Sequence, residues 1–377
     1  MNRQLLSGDE AIARGAWEAG CRVAAAYPGT PSTEILENLA RYEEVYCEWS
    51  TNEKVALEVA LGSSISGARS LAAMKHVGLN VAADPFFSSA YIGASAGLVI
   101  VSADDPGLHS SQNEQDNRYY GLMARVPVLC PSDSQEAKDF TRLAFDLSER
   151  FDVPVMVRIT TRVAHSHSIV ELDTREEKPL RGYEKEATKT ICLPAFARVR
   201  HVDLERRIDR VRAWSEEAPV NRIEAGEASL GVICDGVAYH YAREVLPEAS
   251  FLKLGMVYPF PTELVRRFAE TVSRIAVIEE VDPFIETQVR TLGLQVIGKN
   301  SLPRCGELNP AIIRRAIKES TQPEVVTGVA ETAGKGEPEP DLPAGDVTGV
   351  VVPPAGLDGE DVVDACLLYT SDAADEE

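Results

Sequence analysis

Ala26-Tyr27-Pro28-Gly29-Thr30-Pro31-Ser32-Thr33 closes a short apolar stretch and opens an amphipathic one; Trp49-Ser50-Thr51-Asn52-Glu53-Lys54-Val55-Ala56 repeats the transition further on. Each reads as a strand that ends in a turn and delivers polar groups into a helix. Proline and glycine stiffen the first turn, and Glu53 falls on the first turn of the second helix. Two such strand ends at one edge of a sheet are how an α/β protein builds a site. Upstream, Ser7-Gly8-Asp9-Glu10 carries the capping-box pattern, with Ala11, Ile12, Ala16 and Ala19 at helical spacing and Gly20 as the stop. Downstream, strands are expected over 21–26, 45–49, 70–75, 97–104, 126–130 and 153–159. Helices are expected over 33–42, 53–67, 80–91 and 134–151, with a polar run at 104–117. That alternation predicts parallel βαβ units and one doubly wound α/β domain over residues 1–170.

Residues 171–217 read as a charged connector that ends in a helix over 202–217. A second, smaller α/β domain follows over 218–320, with strands at 230–234, 250–254 and 274–279. Asp235-Gly236 reads as a turn. From residue 321 the composition shifts to Pro, Gly, Val and acid, an expected linker over 321–365. Residues 366–377, beginning Cys366-Leu367-Leu368-Tyr369-Thr370-Ser371, resemble the translated read-through of a sequencing-library adapter, so the natural protein is expected to continue beyond residue 365. Of the net charge of −21, about −13 falls after residue 320, where fourteen acidic residues face Lys335 alone. This acidity argues against nucleic acid or an anionic membrane as a partner. The seven cysteines are scattered, with no two at metal-ligand spacing, and read as reduced thiols. His165 and His167, near-alternate after a strand, are not read as metal ligands, and no metal set is expected. The run 91–103 is too short and too rich in Gly and Ser to span a bilayer, and a cytoplasmic protein is expected.

The residues alone leave roles open. Glu53 is either a working carboxylate or a helix-start glutamate that complements the helix dipole; Glu58, one turn later, reads as a surface or interface residue. Thr30 is either a site hydroxyl or a turn threonine. Lys75 and His76, at the end of a strand, either hold a substrate carboxylate and relay a proton or belong to a core or interface. The loop with His109, Gln112, Asn113, Gln115 and Asp116 is either solvated or a site contact.

Several separated motifs, in order, resemble one family. These are the 26–33 and 52–56 stretches, Met74-Lys75-His76-Val77-Gly78-Leu79-Asn80 and His109-Ser110-Ser111-Gln112-Asn113-Glu114-Gln115-Asp116. Gly255-Met256-Val257-Tyr258-Pro259-Phe260-Pro261 and Ile278-Glu279-Glu280-Val281-Asp282-Pro283-Phe284-Ile285-Glu286 complete the set. Together they resemble the α-subunit family of indolepyruvate ferredoxin oxidoreductase, thiamine-diphosphate enzymes of the 2-oxoacid:ferredoxin oxidoreductase superfamily. The resemblance implies a pyrimidine-binding domain followed by a transketolase-C-terminal-like domain. It implies oxidative decarboxylation of an aryl-pyruvate to aryl-acetyl-CoA, with ferredoxin as electron acceptor. It makes Glu53 the carboxylate on N1′ of the cofactor's aminopyrimidine, with Tyr27 and Thr30 at the cofactor and Thr30, Lys75, His76 and Asn80 at the substrate. It places the loop of His109, Gln112, Asn113, Gln115 and Asp116 where subunits pack around the cofactor. A small β subunit and a dimer of αβ pairs are implied, as are Mg²⁺ and [4Fe–4S] clusters whose ligands are not in these residues. There is no Gly-Asp-Gly motif to hold Mg²⁺ and diphosphate. Asp104-Asp105 stands where pyruvate-using relatives carry a carboxylate-binding arginine. The alternatives are a relative with pyruvate-like or aliphatic substrates, or a non-catalytic assembly subunit of the same fold.

Overall fold

The computed structural model describes residues 2–320, so the expected linker and adapter-derived segment lie outside the described residues. The first elements are β1 (Asn2–Leu6), α1 (Gly8–Glu18), β2 (Val23–Ala26), α2 (Thr33–Leu39), β3 (Tyr46–Trp49) and α3 (Glu53–Ile65). The capping box at α1 is complete, with Ser7 and Glu10 each bonded to the other's backbone. β4 (Ser70–Lys75) leads directly into α4 (His76–Val81) and α5 (Ala83–Ile92). His76 therefore starts a helix rather than ending a strand, and the single helix expected over 80–91 is two. Pro85 sits in the first turn of α5, where its missing N–H would have no intrahelical partner anyway. β5 (Leu98–Asp104), α6 (Arg118–Ala124), β6 (Val128–Leu129), α7 (Ser134–Phe151), β7 (Val155–Thr160), α8 (Thr161–His165) and β8 (Ser168–Leu172) follow. β1 and β8 pair antiparallel, a ribbon the sequence reading missed because both are largely exposed and lack a clean apolar alternation.

β2 to β7 and β12 (Met256–Tyr258) form a seven-stranded sheet in the order β12-β6-β7-β5-β4-β2-β3, parallel except for β12, which adds antiparallel to β6 from far along the chain. β5 and β7 are buried at every position, as central strands covered on both faces must be. One apolar core packs α1, α2 and α7 against one face through residues such as Ile12, Leu36 and Phe145. The other face is covered by α3 and α5 through Leu57, Ala60 and Phe86. After α9 (Ala187–Thr190), α10 (Pro194–Ser215) joins this second core through Leu204 and Ile208. It begins earlier than the expected 202 because Pro194 suits the first helical turn.

The second sheet comprises β9 (Arg222–Glu224), β10 (Glu227–Asp235), β11 (Ala249–Leu254), β13 (Ile275–Ile278) and β14 (Val296–Ile297), ordered β14-β13-β10-β11-β9. α11 (Ala238–Val245), α12 (Thr262–Ala269), α13 (Phe284–Thr291) and α14 (Pro310–Ser320) cover it. The core under α3 and α5 continues into this sheet through Ile233, Leu252 and Phe268. A buried ion cluster also joins the two halves. Arg118, fully buried, pairs with Asp116, with Glu279 at 2.8 Å and with Asp235 at 3.2 Å. Asp235, expected only as part of a turn, is thus a buried ion partner at the end of β10. Among the described residues, no helix is long and apolar enough to cross a membrane.

Candidate active site

The carboxyl ends of β3, β2, β4 and β5 lie side by side: Ala26 pairs with Trp49 and Ala73, and Lys75 with Ala103. Every motif singled out in the first half of the chain leaves the sheet at this edge, which is where open α/β sheets bind ligands. After β3, Asn52 caps α3 by accepting from the Val55 N–H at 3.0 Å. With the cap role taken, Glu53 turns inward and is only 8% exposed. Its carboxylate lies along α4, where a Cβ on Gly78 would come within 2.5 Å of Glu53 Oε1. Among the described residues, no side chain donates a hydrogen bond to it. Burial raises its pKa above the ordinary glutamate value; its own backbone N–H and the Lys75 charge pull the other way. A carboxylate serving only the helix dipole would be solvated, and this one is not.

Lys75 ties three segments together. Its stem covers Gly29, where a Cβ would be 2.7 Å from Lys75 Cδ, and its Nζ donates to the Ser110 carbonyl at 2.6 Å. The 27–32 loop is braced by Ser32 Oγ donating to Gly29 O and by the Gly29 N–H donating to Thr33 Oγ1, both at 2.8 Å. The Thr30–Pro31 peptide bond is cis. Tyr27 is exposed and Thr30 half-buried on this loop.

His76 is fully buried, and its Nε2 donates to the Asn113 carbonyl at 2.9 Å, while Nδ1 is buried with no partner among the described residues. Asn80 and Gln115 exchange amide hydrogen bonds at 2.9 and 3.0 Å, and Tyr120 donates to Asn80 at 2.7 Å. Gln115 also donates to the His76 carbonyl at 3.0 Å. The 105–117 loop is therefore packed on α4 rather than free in solvent.

Not every expected residue faces the edge. His109 turns toward Glu307 at 3.3 Å, and Gln112 is exposed. Asp116 is buried against Arg118, whose charge holds its carboxyl below the ordinary value although burial alone would raise it. Glu58 is on the surface, 3.8 Å from Lys54. Asp104 and Asp105 organise the loop. Asp104 accepts from Arg158 Nε at 2.8 Å and from the Asn117 N–H at 3.0 Å. Asp105 accepts from the Ser110 N–H, Ser111 Oγ and Thr161 Oγ1, each at 2.8 Å.

Three contributors were not singled out in the sequence. Gly78 makes room for Glu53. Asn117 donates to the His76 carbonyl at 3.0 Å and to Ser102 Oγ at 2.8 Å. Arg158, fully buried beside Asp104, has an Nη2 with no partner among the described residues. Gly78 and Asn117 lie in or next to the quoted motifs, so the signal was present without its reason; nothing marks Arg158 within its strand.

The family described as pyruvate flavodoxin/ferredoxin oxidoreductase, thiamine diphosphate-binding, matches residues 14–210. The chain is 46% identical over 308 residues to indolepyruvate oxidoreductase subunit IorA of Archaeoglobus fulgidus, covering 78% of this chain and 49% of that protein. It is 28% identical over 313 residues to 2-oxoglutarate synthase subunit KorA of the same organism, covering 74% of this chain and 88% of that protein. Its fold is like that of 2-oxoglutarate:ferredoxin oxidoreductase from Magnetococcus marinus, with a TM-score of 0.69 and 18% identity, covering 85% of this chain and 65% of that one. A split-gene transketolase, at TM-score 0.54 and 14% identity, covers 83% of this chain and 97% of its own. The chain spans about half the length of the indolepyruvate oxidoreductase subunits it matches.

Proposed function

Because the chain belongs to the thiamine-diphosphate-binding pyruvate flavodoxin/ferredoxin oxidoreductase family, we propose that it is the α-type subunit of a cytoplasmic indolepyruvate oxidoreductase. In this reading the complete enzyme oxidatively decarboxylates aryl-pyruvates, releases aryl-acetyl-CoA and passes the electrons to ferredoxin, working with a β subunit in a dimer of αβ pairs. Mg²⁺ and [4Fe–4S] clusters belong to the complete enzyme, with ligands outside these residues. Residues 1–170 would be the pyrimidine-binding domain, 171–217 a connector and 218–320 the transketolase-C-terminal-like domain. The aryl preference rests on identities of 41–46% to subunits named for indolepyruvate, against 28% to those named for 2-oxoglutarate.

The observation that carries the reading is Glu53. A buried carboxyl with a raised pKa and, among the described residues, no side-chain donor fits a ligand that presents a ring nitrogen for sharing a proton. Thiamine diphosphate, when bound, supplies a carbon nucleophile at its thiazolium C2 for attack on the ketone of a 2-oxo acid. Glu53 would hold the shared proton on its carboxylate at the aminopyrimidine N1′. Gly78 would keep that carboxylate close to α4, and Tyr27 and Thr30 would border the cofactor from the 27–32 loop. Thr30, Lys75, His76 and Asn80 would face the substrate. Lys75, whose Nζ also donates to the Ser110 carbonyl, would turn its charge toward the substrate carboxylate. His109, Gln112, Asn113, Gln115 and Asp116 would form or brace the loop that meets the neighbouring subunit.

The 377 residues contain no Gly-Asp-Gly motif, and we propose that turnover needs a diphosphate-binding domain in addition to them. Residues 1–365 alone are expected to show no 2-oxo acid oxidation, and measurable turnover would contradict this. In the complete enzyme, kcat/KM for indolepyruvate and phenylpyruvate should exceed that for pyruvate and 2-oxoglutarate; the reverse order would overturn the aryl assignment while leaving the thiamine site intact.

A further inference from the structure

The side of the first sheet covered by α1 and α2 carries a second cluster, separate from Glu53. Asp9, in the first turn of α1, is 1% exposed, and among the described residues no N–H or hydroxyl donor reaches its carboxylate oxygens, whose contact is the Glu34 carboxyl. Glu34, in the first turn of α2, has a buried Oε2 in the same condition. His165, the last residue of α8, completes the group: one ligand atom from each of the three lies within 4.8 Å of the others. Asp9 is not needed as a cap, since Ser7 and Glu10 already close the capping box.

Two carboxylates in contact, Asp9 buried and Glu34 half-buried, repel each other unless a proton or a cation lies between them. A shared proton gives no reason for the imidazole. Two carboxylates and one imidazole are instead the donor set of a zinc-type divalent ion, softer than the all-oxygen sets of Mg²⁺ or Ca²⁺. The side of the cluster at His165 is exposed, giving the ion a path in and room for water as a further ligand. We propose that Asp9, Glu34 and His165 form a binding site for a divalent transition-metal ion, with zinc the best match. The ion would staple α1, α2 and α8, and α2 is the helix that the 27–32 loop opens. The three ligands come from helices far apart in sequence, so no spacing announces the site. This inference does not depend on the reading of Glu53.

The test uses the purified 377-residue chain, stripped with a chelator and titrated calorimetrically with ZnCl₂, MnCl₂ and MgCl₂, with thermal melting followed in parallel. One equivalent of Zn²⁺ should bind and raise the melting temperature, as a ligand of the folded state must. His165→Ala should weaken that binding by more than about tenfold and abolish the melting shift. Since His165 is exposed, this variant should fold. Asp9→Asn should behave likewise. The proposal is overturned if no stoichiometric Zn²⁺ binds or if Mg²⁺ binds as tightly as Zn²⁺. It is also overturned if the His165→Ala and Asp9→Asn variants retain wild-type affinity, which would assign the ion to other groups such as the exposed Cys192 and Cys305.

Discussion

At the scale of the residue, the placement of Glu53 depends on a neighbour with no side chain. Gly78 leaves the space that the Glu53 carboxylate fills, and an added methyl would come within 2.5 Å of Oε1. Gly78→Ala should therefore displace the carboxylate without unfolding the protein. The atoms that must give way, Oε1, Cγ and Cδ, all belong to the one Glu53 side chain, and alanine suits a helix better than glycine by up to about 1 kcal/mol. In the complete enzyme, turnover should fall by up to about 10²-fold, as misplacement of a reacting group by around an ångström does, while the melting temperature hardly moves. A variant with normal turnover would show that the Glu53 position is not restrictive. The same glycine shows where reading from sequence runs out. Glu53 was legible as a helix-start carboxylate and the family motif singled it out. Its burial was not, because burial depends on Gly78, Lys75 and the 105–117 loop meeting at one edge. Asp116 shows the opposite case. It stands in a polar run that reads as a site loop, yet it is spent on Arg118, a partner two residues away whose other contacts come from beyond residue 230.

At the scale of the element, the first sheet was legible because strands alternate with helices, of which α1, α3 and α7 carry side-chain caps. What escaped was whatever depends on pairing across long sequence separations: the β1–β8 ribbon, and β12 closing the edge of a sheet built from the other end of the chain. Proline within the first turn also hid the break between α4 and α5, since there it carries no penalty that composition could reveal. The start of α6 holds the two halves together electrostatically. Arg118→Met would leave Asp116, Asp235 and Glu279 buried without their shared cation, and removing one member of such a group costs about 3–5 kcal/mol. Urea denaturation should show a loss of that size; a loss below about 1 kcal/mol, the range of exposed pairs, would contradict the buried-cluster account. The methionine fills comparable volume, so packing loss alone does not predict the larger value.

At the scale of the whole molecule, stability should depend on pH through Glu280, which is buried between the halves. Its surroundings include the charges of Arg158, Glu307 and Asp235, and its hydrogen bond is from the Leu308 N–H at 3.3 Å. Burial raises its pKa from 4.5 to about 7, more than Arg158 and the hydrogen bond lower it. Below 4.5 the group is protonated folded or unfolded, and its contribution is fully present. Between 4.5 and 7 the folded state binds more protons than the unfolded one, so stability falls as pH rises, and the loss is complete above 7. Melting curves across this range should be flatter for Glu280→Gln than for the wild type; equal slopes would remove Glu280 as the cause. The central claim concerns the other carboxylate, and the measurement that tests it most directly is turnover of the complete oxidoreductase carrying Glu53→Gln. 2-oxo acid-dependent ferredoxin reduction should fall by about 10²–10⁴-fold, the range for losing a positioned acid–base group. The melting temperature should stay level or rise, because a buried ionisable group has been replaced by a neutral one. A variant that turns over within about threefold of the wild type, well short of that range, would contradict the assignment and leave Glu53 as a residue of the fold alone.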